Sequence, residues 1–141
     1  MAQVLPVVVL GCLARLGYLP NDSILAIEHP ELHLHPMAHA ELAALFCEVA
    51  VASQGPTVVI ETHSENLLLR VQIAIARGEI SKQDVIIHWL RASDDGLSVI
   101  DTITFDDSAR PQGSSWPPGV FREDTEQART LIELRRQRAH E

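Results

Sequence analysis

The chain has very little lysine. Ten of its 11 basic residues are arginines, and the one lysine is Lys82. The phosphate-binding loop GxxxxGK(S/T) needs a lysine directly after a glycine. Lys82 instead lies between a serine and a glutamine, so these 141 residues contain no such loop. A lysine that cradles a triphosphate would have to come from another polypeptide.

Aromatic residues and cysteines are also scarce. Aromatic residues make up 4% of the sequence, so the core has to be built mainly from Leu, Ile, Val and Ala. The two cysteines, Cys12 and Cys47, lie in separate apolar stretches and form neither a CxxC motif nor a disulfide framework. This usage is typical of a reducing compartment and predicts a cytoplasmic protein.

Positive charge is in short supply as well. The net charge is −8, and residues 122–141 are neutral with five arginines and five acids, so the deficit lies in residues 1–121. Non-specific binding to nucleic acid needs a basic patch, so contact with nucleic acid is expected only through a complete assembly. The apolar run at residues 4–14 is too short to cross a bilayer and has no basic residue before it, so we expect no membrane association.

Alternating strands and helices organise the first part of the sequence. The patterns predict a mostly buried helix over Gln3–Leu16, buried strands over Ser23–Glu28 and Thr57–Glu61, a helix that begins at Pro36, and a helix capped by Ser64. Continuously apolar strands that alternate with helices are typical of a parallel sheet covered on both faces. We therefore predict an α/β fold.

The pattern changes after this α/β part. Strand-like runs at Val85–Leu90 and Leu97–Phe105 flank a Ser-Asp-Asp-Gly turn, which predicts a β-hairpin. A loop rich in Pro, Gly and Ser follows at Arg110–Gly119. A charged segment at Glu123–Arg138 then predicts a closing helix.

Both predicted parallel strands end in a carboxylate that polar residues follow. Glu28 precedes His-Pro-Glu-Leu-His-Leu-His-Pro, and Glu61 precedes Thr-His-Ser-Glu. A charged group at the end of a buried strand is costly unless it is used, and open α/β sheets bind ligands at the carboxyl ends of their strands. Because a single helix joins the two strands, we expect both polar clusters to share one site.

Residues 24–36 resemble the Walker B strand and following loop of ABC/SMC-like P-loop ATPases, and residues 61–70 resemble their switch-histidine segment. The sequence is most similar to bacterial AAA-family ATPases whose C-terminal region has no assigned function, which are relatives of the OLD-type ATPases of prokaryotic defence systems. The resemblance implies a partial P-loop NTPase core over residues 1–83 and the family's C-terminal region over residues 84–141. It also implies that the chain is the C-terminal portion of an ATPase, as a natural fragment, a split subunit or a truncated product.

The resemblance implies roles for three residues at the strand ends. Glu28 would bind Mg²⁺, directly or through water, beside the triphosphate of ATP. The next position in the family carries a glutamate or glutamine that activates the attacking water. In this sequence the residue at that position is His29, so the chain differs from the family at the residue on which hydrolysis depends. His63 matches the histidine that senses the γ-phosphate and would donate a hydrogen bond to it.

The resemblance also implies a partner. The loop at residues 31–36 would face a partner subunit across the nucleotide, so Glu31 and His35 are expected to contact the cofactor. Mg²⁺ and ATP would bind only if another chain supplies a P-loop, either a partner subunit or a missing N-terminal half that carries Walker A. A homodimer of this chain is a second possible assembly.

Plainer interpretations exist for the same residues. Glu28 and Glu61 could cap the helices that follow them. A zinc site could form from histidines and one carboxylate, although their spacing is not that of HExxH. Its members would be His29, Glu31, His33, His35 and His39. The chain could also be a non-catalytic interaction module that binds no nucleotide and leaves a sheet edge or an apolar face for association.

Overall fold

The computed structural model describes residues 4–20, 22–52, 55–93 and 95–113. The predicted closing helix at Glu123–Arg138, and most of the loop before it, lie outside the described residues. The elements are helix α1 (Val4–Arg15), strand β1 (Ile24–Glu28), α2 (Pro36–Ala50), β2 (Thr57–Glu61), α3 (Glu65–Ala76), a 3-10 turn (Lys82–Asp84), β3 (Ile87–Ala92), β4 (Ser98–Phe105) and β5 (Pro111–Gly113). None of the helices in the described ranges is long and apolar enough to cross a membrane.

Strands β1 and β2 form the parallel pair that the sequence predicts. They align in register from Ile24 opposite Thr57 to Glu28 opposite Glu61. Side chains alternate between the two faces of a strand. The even positions of β1 and the odd positions of β2 therefore share one face, and the remaining positions share the other.

The prediction that both faces of this sheet are covered is wrong for the described residues. On one face Leu25 is buried, and Ile27, Val58 and Ile60 are partly buried, because α2 and α3 pack against this side. On the other face the side chain of Ile24 is 70% exposed. Apolar composition does not distinguish a strand covered on two sides from a strand that has one uncovered apolar face.

Helix α1 has nearly the predicted bounds, but the prediction that it is mostly buried is wrong. Leu5 is 68% exposed and Leu16 is 64% exposed, whereas Ala14 is buried. The helix packs on α2 along one side only, where its backbone comes close at Gly11. A Cβ atom at Gly11 would lie 2.9 Å from Leu45 Cδ2, so a small residue permits this close packing. On the other side of α1, apolar residues such as Leu5 and Val9 are exposed.

A second, antiparallel sheet packs against α3. Strand β4 lies between β3 and β5. Its Phe105 is buried with Ala74 and Ile75 of α3 and with Cys47 of α2. Strand β5 falls in the segment that the sequence predicts as loop. This prediction failed because β5 is a three-residue edge strand that starts at Pro111, a position where a missing N–H is tolerated.

Candidate functional site

The two carboxylates at the strand ends lie side by side. Glu28 is the register partner of Glu61, and both belong to the uncovered face of the sheet. The strands run in the same direction, so the polar clusters that follow them meet at one end of the sheet, as the sequence predicts. Like charges in directly paired positions are destabilising. This end of the sheet therefore favours a cation or a hydrogen-bond donor between the two side chains.

His29 extends the cluster because its backbone leaves the strand conformation. Its N–H donates to Glu61 O at 2.8 Å, which continues the ladder by one residue. Its φ is +44°, in the left-handed region that non-glycine residues rarely adopt. In an extended strand the side chain would point to the face opposite Glu28. Here the ring instead reaches Glu61, with Nε2 3.8 Å from Glu61 Oε1.

The two histidines with predicted catalytic roles lie next to each other. The rings of His29 and His63 stack with centroids 5.0 Å apart and an interplanar angle of 20°. The side chain of His29 is 22% exposed, whereas His63 is exposed. The fold thus brings these histidines, from two loops more than thirty positions apart in sequence, to the same place.

Glu31 connects the loop after β1 to the loop after β2. It is 9% exposed, and its Oε1 accepts hydrogen bonds from Thr62 Oγ1 at 2.7 Å and from His63 N at 3.0 Å. Burial alone would raise the pKa of Glu31. The hydrogen bonds from Thr62, from its own backbone and from His63, together with the nearby His29, outweigh burial and hold the pKa below its ordinary value. The observed contacts of Glu31 fix the backbone of His63, and a contact between Glu31 and a nucleotide stays a prediction.

Ser64 begins α3 as predicted. Its Oγ accepts from Leu67 N at 3.2 Å, which is an N-cap bond. The same Oγ lies 2.8 Å from His39 Nδ1. This second partner was missed by sequence reasoning, although His39 in the first turn of α2 faces the start of α3. The hydrogen bond from Leu67 N confirms the prediction that Ser64 caps α3.

The remaining loop histidines lie apart from the carboxylate pair. His35 is exposed, and its Nδ1 accepts from Met37 N at 3.3 Å, so it caps α2. His33 is exposed and has a φ of +67°. An open groove of about 610 Å³ separates the two loops, and its lining includes His29, Glu31, His33, His39 and His63.

The donor set at the strand ends suits a divalent cation. Among the described residues, one group of three possible ligands has its donor atoms within 4.8 Å of one another, namely Glu28, His29 and Glu61. The five-residue zinc set considered from sequence is therefore not assembled. The sequence placed Glu61 at the shared site but predicted only Glu28 as a metal ligand, although the position of Glu61 at the end of the second strand was a usable signal.

The class of protein follows from this arrangement: an α/β domain whose parallel strands bring acidic and imidazole side chains together at their carboxyl ends. Residues 8–70 match a family described as "AAA domain, putative AbiEii toxin, Type IV TA system". The match spans most of α1, all of β1, α2 and β2, and half of α3. It supports an AAA-type domain related to P-loop ATPases over these residues. No curated protein and no solved structure matches the chain.

Proposed function

We propose that this chain supplies the Walker B and switch-histidine half of an ABC/SMC-like ATPase site. One observation carries the proposal: inside the matched region, the in-register pair Glu28 and Glu61 stands beside the stacked rings of His29 and His63. A P-loop on a partner subunit or on a missing N-terminal half would complete the site, because these 141 residues have no lysine in the required motif.

Each side chain has a defined task in this proposal. Glu28 would hold Mg²⁺, whose charge would offset the negative charge of the triphosphate of ATP. His29 accepts a proton from the attacking water, since an imidazole exchanges protons near neutral pH. Glu61, 3.8 Å from His29 Nε2, orients that ring. His63 would donate to a γ-phosphate oxygen, and Glu31 keeps the backbone of His63 in place through the 3.0 Å hydrogen bond.

The uncovered apolar surface supports a partner. Ile24 and Val59 are exposed on the open face of the sheet, and Leu5 and Val9 are exposed on α1. Apolar surface of this kind is typical of protein–protein contact. We propose that the polypeptide bearing the P-loop covers it, and that His35 and the loop around it face a subunit across the nucleotide. A homodimer is the alternative arrangement.

The setting that we propose is DNA-linked or antiphage defence in the bacterial cytoplasm. It rests on the resemblance to OLD-related ATPases and on the toxin–antitoxin wording of the matched family. Contact with nucleic acid would come through the assembled complex, since the sequence carries a net charge of −8.

ATP hydrolysis in a reconstituted mixture tests the proposal. The chain is combined with a candidate polypeptide that carries GxxxxGK(S/T), and Mg²⁺-dependent phosphate release is measured for each component and for the mixture. We expect ATP turnover only in the mixture and not with either component by itself. Turnover should be lost when the chain carries Glu28→Gln. Glu41→Gln, an exposed carboxylate on α2 away from the site, is the matched control and should leave turnover unchanged.

A non-catalytic interaction module is the second candidate. His29 stands where the resembled family has glutamate or glutamine, and the open apolar face suits association without nucleotide. Under this alternative, the two polypeptides bind each other equally well with and without Mg-ATP, and the complex retains no labelled ATP.

A further inference from the structure

We propose that His39 is a positioning residue for His63, because its imidazole joins the loop after β1 to the residue that caps α3. The ring lies between Leu34 O and the hydroxyl of Ser64, the residue that follows His63. The task of His63 rests on the function proposed above. The hydrogen-bonded link itself is a property of this chain without nucleotide or partner, so the two proposals can fail separately.

The partners of His39 fix the position of its ring proton. Its Nε2 lies 3.4 Å from Leu34 O, and a carbonyl oxygen can only accept, so Nε2 carries a proton. Its Nδ1 lies 2.8 Å from Ser64 Oγ, which already accepts from Leu67 N. The Ser64 hydroxyl is therefore free to donate its own proton to Nδ1. A neutral ring with its proton on Nε2 satisfies both contacts.

Both ends of this link are anchored in the core. The side chain of Leu34 packs against the buried cluster that α2 and α3 share. Leu67, which donates to Ser64, is itself buried in that cluster. His39 is half-buried in the first turn of α2, between these two points. The link therefore joins parts of the chain that packing already holds, so it restrains the residues attached to it.

The backbone of His63 is restrained on both sides. Before it, Thr62 Oγ1 donates to Glu31 at 2.7 Å, and the His63 N–H donates to the same carboxylate at 3.0 Å. After it, Ser64 is held by His39. The side chain of His63 is exposed, so the position of its ring depends on the backbone that carries it. Loss of the His39 link would leave that backbone held from the side of Glu31.

Two substitutions separate the hydrogen bonds of His39 from its volume. His39→Phe keeps a planar ring but removes both nitrogen atoms. His39→Gln keeps one acceptor and one donor on the same amide, so it can accept from Ser64 and donate to Leu34 O. His88→Phe is the matched control. His88 in β3 also contacts a hydroxyl, with Nδ1 3.3 Å from Thr102 Oγ1, but it belongs to the second sheet.

Amide hydrogen exchange of the intact chain, without nucleotide, measures the restraint. In His39→Phe we expect the amides of His63 and Leu67 to exchange at least about fivefold faster, the factor to which the net contribution of one hydrogen bond corresponds. The amides of β4 report any global destabilisation, and the effect is counted beyond theirs. At His63 and Leu67, His39→Gln and His88→Phe should exchange as the wild type does. Nitrogen chemical shifts of the imidazole should place the proton of the neutral His39 ring on Nε2.

ATP turnover in the reconstituted mixture gives a second readout. His39→Phe should lower kcat with little change in KM, because the disturbed His63 would act on the γ-phosphate in the transition state. His39→Gln should restore kcat, and an unchanged kcat in His39→Phe would contradict the positioning role. A mixture without any turnover would overturn the proposed function, and the exchange rates would still decide the link.

Three results on the chain alone would overturn the inference. These are a neutral His39 ring that carries its proton on Nδ1, exchange at His63 that is unchanged in His39→Phe, and His39→Gln exchanging as fast as His39→Phe. If His39→Phe does not fold, the proton position in the wild type and the exchange rates of His39→Gln decide the question.

Discussion

The hydrogen bond between Thr62 and Glu31 is the shorter of the two that Glu31 accepts from the loop after β2. Thr62 Oγ1 donates to Glu31 Oε1 at 2.7 Å, and the same hydroxyl accepts from Ser64 N at 3.0 Å. A chain of hydrogen bonds thus runs from the start of α3 to the loop after β1. Thr62→Val removes the hydroxyl with little change of shape, and Glu31→Ala removes the acceptor.

The expected magnitude follows from the kind of bond that is lost. A hydrogen bond to a charged group contributes about 1.5 to 3 kcal/mol to stability. Glu31→Ala leaves the Thr62 hydroxyl and the N–H of His63 without their acceptor, so we expect it to cost about 2 to 4 kcal/mol. Part of this loss is offset because the variant no longer buries the charge of Glu31, whose Oε2 has no hydrogen-bond partner among the described residues.

A double-mutant cycle isolates the link from these side effects. Urea unfolding of the wild type, both single variants and the double variant gives the coupling energy. We predict a coupling of about 1.5 to 3 kcal/mol. A coupling below about 0.5 kcal/mol, the range of independent sites, would refute the statement that Glu31 ties the two loops together.

Two further predictions concern the surroundings of the site. Ser64→Ala should lower the free energy of unfolding by about 1 kcal/mol, because α3 loses its N-cap; Ser64→Thr is the matched control in urea titrations, since it keeps a capping hydroxyl. Glu79→Gln should destabilise the fold near neutral pH. The hydrogen bond from Arg70 lowers the pKa of Glu79 below its usual 4.5, so this stabilisation is complete above that pH and is lost as the pH falls through the lowered pKa. Unfolding midpoints of wild type and variant should converge in acid, and a deficit independent of pH would contradict this.

Local sequence signals predicted the elements of the parallel sheet well. The apolar runs that end in Glu28 and Glu61 give β1 and β2, and Ser64 marks the start of α3, because strand ends and caps depend on neighbouring residues. The shared site at the strand ends followed from the parallel topology alone.

Burial could not be predicted in the same way, since it depends on what packs around an element. Helix α1 and the strand residue Ile24 are apolar in sequence whether or not a neighbour covers them. The role of Glu31 was missed for a related reason. Its hydrogen bonds to Thr62 and His63 join residues about thirty positions apart, and only the folded loops bring them together.

ATP turnover by the mixture of this chain with a P-loop polypeptide tests the central claim most directly. The account predicts turnover that requires both polypeptides and that falls at least about 100-fold in Glu28→Gln, as loss of several kcal/mol of metal-mediated stabilisation implies. Turnover by this chain alone, or a mixture whose rate is the same with Glu28→Gln, would contradict it.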